Sequence, residues 1–277
     1  MKRMLIPAAM ALCLFAAACG SDDSSDPSSV SITASGPKGK VTFDVPDKVD
    51  AGAAEITLDN QAEEGTDAQL LRVEGDYTED QVIGELLKAV KGEPVADWLI
   101  AAGGPDLTAP GDSTTVTEDL SAGTYYVVGT EGQPATPLSS FEVSGDGGAD
   151  LPEADATVDA QEYTFTSDGD LPSGESKLLL DNKGATWHHF LVAKLADGKT
   201  IDDAKKFLTS EGDAGGPPPF EGENPIESSV LDAGESQLVD ANLSPGKYVF
   251  FCFLSDKQTG GPPHVVKGMV SEIDVAE

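Results

Sequence analysis

The chain has 277 residues, 49 of them acidic and 17 basic, for a formal net charge of −32. A surface so acidic repels phosphate, which excludes nucleic acid as a partner and reads as a solvated, self-repelling exterior. Sulfur and imidazole are scarce, with three cysteines, four methionines and three histidines, so their positions carry information.

The N-terminal segment "MKRMLIPAAMALCLFAAACG" sets Lys2 and Arg3 before an apolar run that ends in small residues at Cys19. This is the layout of an export signal, too short for a stable membrane span. Its ending, Ala16-Ala17-Ala18-Cys19, resembles a bacterial lipobox, which implies a signal over 1–19 and lipidation of Cys19. The mature chain would then sit at the outer face of the cell membrane. The plainer alternatives are a signal peptide cut after Ala18 or nearby, or a short anchor helix. Residues 20–31, "GSDDSSDPSSVS", have almost nothing to bury and read as a flexible spacer. Removing the signal takes Met1, Met4, Met10 and Cys13 with it. With Cys19 lipidated, one thiol remains, Cys252, and one thioether, Met269. A lone thiol outside the cell needs deep burial or a bound partner.

Internal similarity organises the rest. "VTFDVPDKVDAGAAEITLDN" (41–60) matches "YTFTSDGDLPSGESKLLLDN" (163–182) at an offset of 122 residues, and "LSAGTYYVVG" (120–129) matches "LSPGKYVFFC" (243–252) at 123. Two homologous domains are expected, at 32–146 and 153–277, joined by a turn-rich linker at 147–152. In each, alternating stretches such as "AEITLDN" and "SKLLLDN" read as strands bounded by Gly, Pro and Asp. Thr78 and Gln81 have the spacing of a capping box, followed by Val82, Ile83, Leu86, Leu87 and Val90 at helical spacing. "TIDDAKKFLTS" is the shorter counterpart. Strands ending in "TYYVVG" and "KYVFFC" follow, and Leu-Ser-Pro-Gly-x-Tyr at 243–248 resembles the tyrosine corner of Greek-key sandwiches. The expected fold is all-β: two tandem Greek-key β-sandwiches, each with one helical insertion.

In the second domain, "DNKGATWHHFLV" followed by "GKYVFFC…PHVVKGM" resembles the cupredoxin family of plastocyanin, azurin and halocyanin. The resemblance implies a copper site with ligands His188, Cys252, His264 and Met269. Thiolate, two imidazoles and a weak axial thioether suit copper in electron-transfer proteins. Zinc at Cys/His/His would leave Met269 without a role. Phe250, Phe251, Phe253 and Trp187 are expected to form an apolar shell around the metal. His188 and His189 are adjacent, so in a strand they face opposite sides, and the family pattern assigns His188 to the site.

One departure stands out. Eleven residues separate Cys252 from His264, where the family usually has two to four. Pairing "SFEV" (140–143) with "EIDV" (272–275) sets Gly132 opposite His264 and Gly129 opposite Cys252. The second domain therefore carries nine extra residues, "SDKQTGGPP", expected to loop out at little entropic cost. The first domain has Thr66 and Asp67 opposite His188 and His189, and should not bind copper. No triad spacing, carboxylate pair or phosphate loop stands out, so an enzyme is not expected. Two readings result. One is a membrane-tethered copper protein that carries electrons or hands over copper to a protein partner. The other is a metal-free cupredoxin-like binding or structural lipoprotein of the envelope.

Overall fold

Strands begin where side-chain alternation begins. The computed structural model describes residues 26–130, 137–145, 147–210 and 216–277, with the side chains of 223–225 excepted. The signal segment with Cys19, and Gly132, lie outside the described residues. In chain order the first half contains β1 (Ser28–Ser35), β2 (Thr42–Asp44), β3 (Lys48–Asp50), β4 (Gly52–Asn60) and β5 (Gln69–Val73). It continues with α1 (Glu79–Val90), β6 (Leu99–Ala101), β7 (Ser113–Leu120), β8 (Gly123–Val128) and β9 (Ser139–Ser144). The second half runs β10 (Ala156–Gln161), β11 (Thr164–Ser167), β12 (Gly174–Asn182), β13 (Leu191–Leu195) and α2 (Ile201–Leu208). It ends with β14 (Phe220–Glu227), β15 (Ser236–Leu243), β16 (Gly246–Phe251) and β17 (Val270–Val275).

The spacer expected over 20–31 ends sooner than its composition suggests. Val30, Ile32 and Ala34 alternate with polar residues and are buried, so β1 starts at Ser28 and pairs in parallel with β4. Period-two burial governs the central strands in the same way: Ile56 and Leu58 of β4, and Leu178 and Leu180 of β12, are completely buried.

Both helices start at the expected caps. The Thr78 N–H donates to Gln81 Oε1 at 2.9 Å, and the Thr200 N–H to Asp203 Oδ2 at 2.9 Å. The apolar face of α1 is narrower than its sequence implies. Val82 is buried, whereas Leu87 and Val90 are 42% and 84% exposed, because α1 lies on a rim and packs one stripe onto the cluster of Leu71, Leu99 and Trp98. The tyrosine corner is present twice: Tyr248 Oη donates to the Ser244 carbonyl and Tyr125 Oη to the Ser121 carbonyl, each at 3.0 Å.

The result is an all-β architecture of packed sheets. In the first half, β2-β1-β4-β7 lies against β3-β9-β8-β5-β6; in the second, β11-β10-β12-β15 lies against β14-β13-β16-β17. The outermost strands β7 and β15 pair antiparallel, with Gln237 opposite Glu118 and Val239 opposite Val116. This joins the two four-stranded sheets into one of eight, and covers two edges that would otherwise invite pairing with other chains. One hydrophobic cluster runs through both halves, from Val30 and Phe141 to Phe250 and Val275.

The seam has an unusual polar pair. Glu118 is 2% exposed and Gln237 fully buried. Glu118 Oε1 accepts from the Gly104 N–H, and Gln237 Nε2 donates to the Gly104 carbonyl at 2.9 Å. Among the described residues, Glu118 Oε2 and Gln237 Oε1 have no partner. Burial, and secondarily the charge of Glu235, raise the Glu118 pKa well above its ordinary 4.5. Protonation would make Oε2 a donor, and Gln237, its register partner, holds an orphaned acceptor. The sign of the linkage follows: a carboxyl with a raised folded pKa costs stability as pH rises past 4.5. Glu118→Gln retains a donor for Gln237 and cannot ionise. Its stability relative to the parent should therefore grow as pH rises from 4.5, as read from urea midpoints at several pH values. A pH-independent difference would show that Glu118 does not titrate with folding.

Candidate metal centre

Asn182, the last residue of β12, builds the first side of the site. Its Nδ2 donates to the carbonyls of Thr186 (2.8 Å) and Leu231 (2.9 Å), and its Oδ1 accepts from the Gly184 N–H at 3.0 Å. This folds 183–187 into a closed loop that delivers His188 between the sheets. His188 is then fixed by a two-way backbone bridge, its N–H to the Leu231 carbonyl at 2.9 Å and the Leu231 N–H to its carbonyl at 2.8 Å.

The other side comes from the end of β16. Cys252 follows Phe251 directly, and its carbonyl accepts from the Val265 N–H at 2.8 Å, while the His264 N–H donates to the Leu254 carbonyl at 2.7 Å. The Met269 N–H donates to the His264 carbonyl at 2.9 Å. These bonds bring residues twelve apart in sequence side by side. His188, Cys252, His264 and Met269 are all fully buried.

His188, Cys252 and His264 each offer one donor atom, and these atoms lie within 4.8 Å of one another. His264 Nδ1 is 3.1 Å from His188 Nδ1 and 3.5 Å from Cys252 Sγ. Bonds of about 2.0 Å to imidazole and about 2.3 Å to thiolate place donors that share a tetrahedrally disposed metal roughly 3.2–3.6 Å apart. The two separations from His264 lie close to that range, and the whole set stays within 4.8 Å. Met269 belongs to the same buried cluster as Cys252 and Phe250. Two imidazoles, a thiol and a thioether form a soft, nitrogen–sulfur donor set that fits copper.

Burial controls protonation here. It pushes His188 down to about 3, helped by neighbouring His264 and His189, and lowers His264, against the opposing pull of Asp256. Both imidazoles are therefore neutral at pH 7, as metal ligation requires. Burial also raises the Cys252 thiol to about 12, against the backbone N–H groups of His189 and Leu254, which favour thiolate. The site without metal holds a protonated thiol, and a bound cation would displace that proton.

His189 faces away from this group. Its Nε2 accepts from the Phe253 N–H at 2.8 Å, which ties the two ligand-bearing loops together. The aromatic shell is only partly the one expected. Phe250 packs with the ligands in the main cluster, joined by Phe165 and Phe190 at ring-centroid distances of 5.9 Å and 5.2 Å along the chain Phe250–Phe165–Phe190. Phe251 points to the other face of β16, against α2 and Phe220, as strand alternation dictates. Phe253 is 43% exposed. Trp187 packs into the first half's cluster and donates from Nε1 to the Ser255 carbonyl at 2.6 Å. Tyr163, 5.3 Å from His264 edge to face, and Asp256, whose Oδ1 is 3.1 Å from His264 Nε2, were not evident from the sequence. Asp256 lies in the inserted stretch that reads as a free loop, and Tyr163, at the start of the repeated segment, reaches it across 93 residues.

The equivalent place in the first half is closed. A Cβ added at Gly129 would stand 2.9 Å from Thr66 Oγ1 and 3.4 Å from Phe43 Cζ, so a cysteine there would require the surroundings to move. The bond between the loops persists without the ligands: Asp67 Oδ1 accepts from the Thr130 N–H at 2.8 Å, where the second half has His189 and Phe253.

No known family profile and no curated protein matches the chain. Solved structures similar to part of it include the dithionite-reduced auracyanin of Roseiflexus castenholzii, at 18% identity over 44% of this chain and 95% of that one, with a TM-score of 0.30. Auracyanin B aligns at 20% identity over 46% and 93%, with a TM-score of 0.29. Auracyanin A of Chloroflexus aurantiacus, described as a "blue" copper protein, aligns at 16% identity over 43% and 99%, with a TM-score of 0.26.

Proposed function

We propose that this protein is a copper-binding electron carrier, tethered outside the cell by lipid on Cys19, and that the metal is held in its second half alone. The observation that carries this reading is the convergence of one ring nitrogen each from His188 and His264 with Cys252 Sγ within 4.8 Å, fully buried. Copper in such a set supplies reversible one-electron chemistry.

The chain's own residues explain the rest. Asn182 and the Leu231 bridge fix His188. The pinned neck of the 253–263 loop fixes Cys252 against His264. Ligands held this firmly move little when charge changes, which favours fast electron exchange over chemistry on a substrate. The apolar surroundings, with Phe250 and Met269 fully buried, exclude water that would complete the coordination of a harder cation. Phe253, bonded directly to Cys252, reaches the surface beside a cleft of about 610 Å³ between α1 and the ligand loops. The tandem architecture makes the first half a metal-free companion. The acidic surface suits a basic protein partner for electron or copper exchange and disfavours nucleic acid. For the tether, one lipidated cysteine with two or more acyl chains gives stable anchoring where a single chain would not.

The test is direct. The soluble chain from residue 26 onward, loaded with copper(II), should bind one equivalent and develop an intense visible thiolate-to-copper band. Colourless binding of copper(I) alone would replace electron transfer with copper delivery. No binding of either ion would leave a metal-free binding protein of the envelope.

A further inference from the structure

The nine additional residues between Cys252 and His264 do not loop out into solvent. They fold back across His264 and are fastened at several points. Ser255 offers its carbonyl to Trp187 Nε1 at 2.6 Å, and its Oγ donates to the Gly261 carbonyl at 2.7 Å. The Lys257 N–H donates to Thr186 Oγ1 at 2.8 Å, and its ammonium pairs with Asp232 where both are almost completely buried. The Lys257 carbonyl accepts from the Val95 N–H at 2.8 Å, so the first half grips the loop as well. Gly260, at a φ of +63°, sits so close to Gly92 that a Cβ would lie 2.4 Å from its carbonyl oxygen. The anchors are independent of one another and flank one residue, Asp256.

Asp256 is aimed at the back of the metal ligand. Its Oδ1 lies 3.1 Å from His264 Nε2 and accepts from Tyr163 Oη at 3.0 Å. Its Oδ2 accepts from Thr259 Oγ1 at 3.0 Å and from the Lys267 ammonium. Lys267 in turn donates to Tyr163 Oη at 3.2 Å and lies 4.9 Å above the Tyr163 ring. Tyr163 is the one described non-glycine residue with positive φ, at 65°. A carboxylate offers only acceptors, so the hydrogen between Asp256 and His264 belongs to Nε2. That leaves Nδ1 with its lone pair directed at Cys252 and His188.

We propose that Asp256 is a positioning residue for His264. It holds the Nε2–H tautomer, fixes the ring angle, increases the basicity of Nδ1, and thereby biases the site toward oxidised copper. The inserted loop exists to deliver it. This rests on the copper reading above, but its first test does not require metal.

In the metal-free protein, ¹⁵N imidazole spectra should show His264 protonated at Nε2 alone. Asp256→Ala should convert this to a tautomer mixture, and Asp256→Asn, which retains an acceptor, should restore it. In the copper-loaded protein, Asp256→Ala should weaken copper(II) binding 10- to 100-fold. If copper(I) affinity is unchanged, this raises the reduction potential by about 59–118 mV, and Asp256→Asn should recover part of the shift. Should Asp256→Ala not fold, Asp256→Asn must still raise the potential, having lost the charge. An unchanged tautomer and unchanged potential in the variants would overturn the proposal. Failure of the parent chain to take up copper would sink the copper reading instead, and the tautomer result would still decide the role of Asp256.

Discussion

Cys252→Ser is expected to remove the intense visible band of the copper-loaded protein and most of its copper-dependent stabilisation. The band requires a thiolate, and an alcohol at this position cannot supply one. Even the thiol, pushed up to about 12 by burial, ionises only because the cation takes the place of its proton. Serine starts from a far weaker acid in the same apolar cavity, and its hydroxyl would be left without the coordination that offsets its burial. The magnitude follows from mass action. At free copper 1,000 times the dissociation constant, binding to the folded state alone contributes about 4 kcal/mol. For a chain of this size that is a rise in Tm of roughly 8–16 °C. The variant should show no such rise and no band, and its metal-free Tm should fall below the parent's only by the cost of burying the hydroxyl. Parallel thermal melts with and without copper, together with the visible spectrum, measure both. Retention of the full copper-induced shift by Cys252→Ser would mean that the metal sits elsewhere.

Much of this site is legible in the sequence because Cys252 directly follows one strongly patterned strand, Met269 directly precedes another, and His188 follows the short loop after a third. Alternation defines β12 and β16, and the repeated "LDN" and Leu-Ser-x-Gly-x-Tyr motifs locate the loops that follow them. The buried side chains that do the clamping, Asn182 and Tyr248, fall within those motifs. What the sequence does not show depends on contacts distant along the chain. Asp256 meets Tyr163 across 93 residues, and nothing local distinguishes it from the other acidic residues of an acidic protein. The inserted loop is polar and rich in Gly and Pro, which is the composition of a free loop. Its attachment depends on Val95 and Gly92 in the other half. The pairing of β7 with β15 is likewise invisible to periodicity, since an edge strand and a central strand alternate alike. Leu87 and Val90 fail for the opposite reason: the helical period is present, but the surface that would cover it is not.

The first half supplies a control for the second large effect. Asn60 and Asn182 make the same three bonds in their respective halves. Asn60 Nδ2 donates to the carbonyls of Glu64 (2.9 Å) and Thr108 (2.7 Å), and its Oδ1 accepts from the Ala62 N–H at 2.9 Å. The partners of Asn182 are Thr186, Leu231 and Gly184, the same positions one repeat later. Both asparagines are fully buried. Truncation to alanine leaves one carbonyl and one N–H without a partner, at about 1–3 kcal/mol each before relaxation, while the Leu231 and Thr108 carbonyls keep the His188 and Thr66 N–H groups. Each variant should therefore lose about 3–5 kcal/mol, seen as a fall in the urea midpoint with an unchanged slope. Only one of them should disturb copper. Asn182→Ala frees the loop that carries His188 and breaks the link to Leu231, whose backbone bridges that histidine, so copper(II) affinity should fall 10- to 100-fold and the visible band should broaden. Asn60→Ala loosens the loop that carries Thr66, which offers no imidazole, and should leave affinity and band unchanged at equal cost in stability. Comparing the two separates loss of ligand placement from general loosening of the fold. Equal copper binding in both would mean that His188 is held by its backbone bridge alone, and that the asparagine serves the sandwich and not the metal.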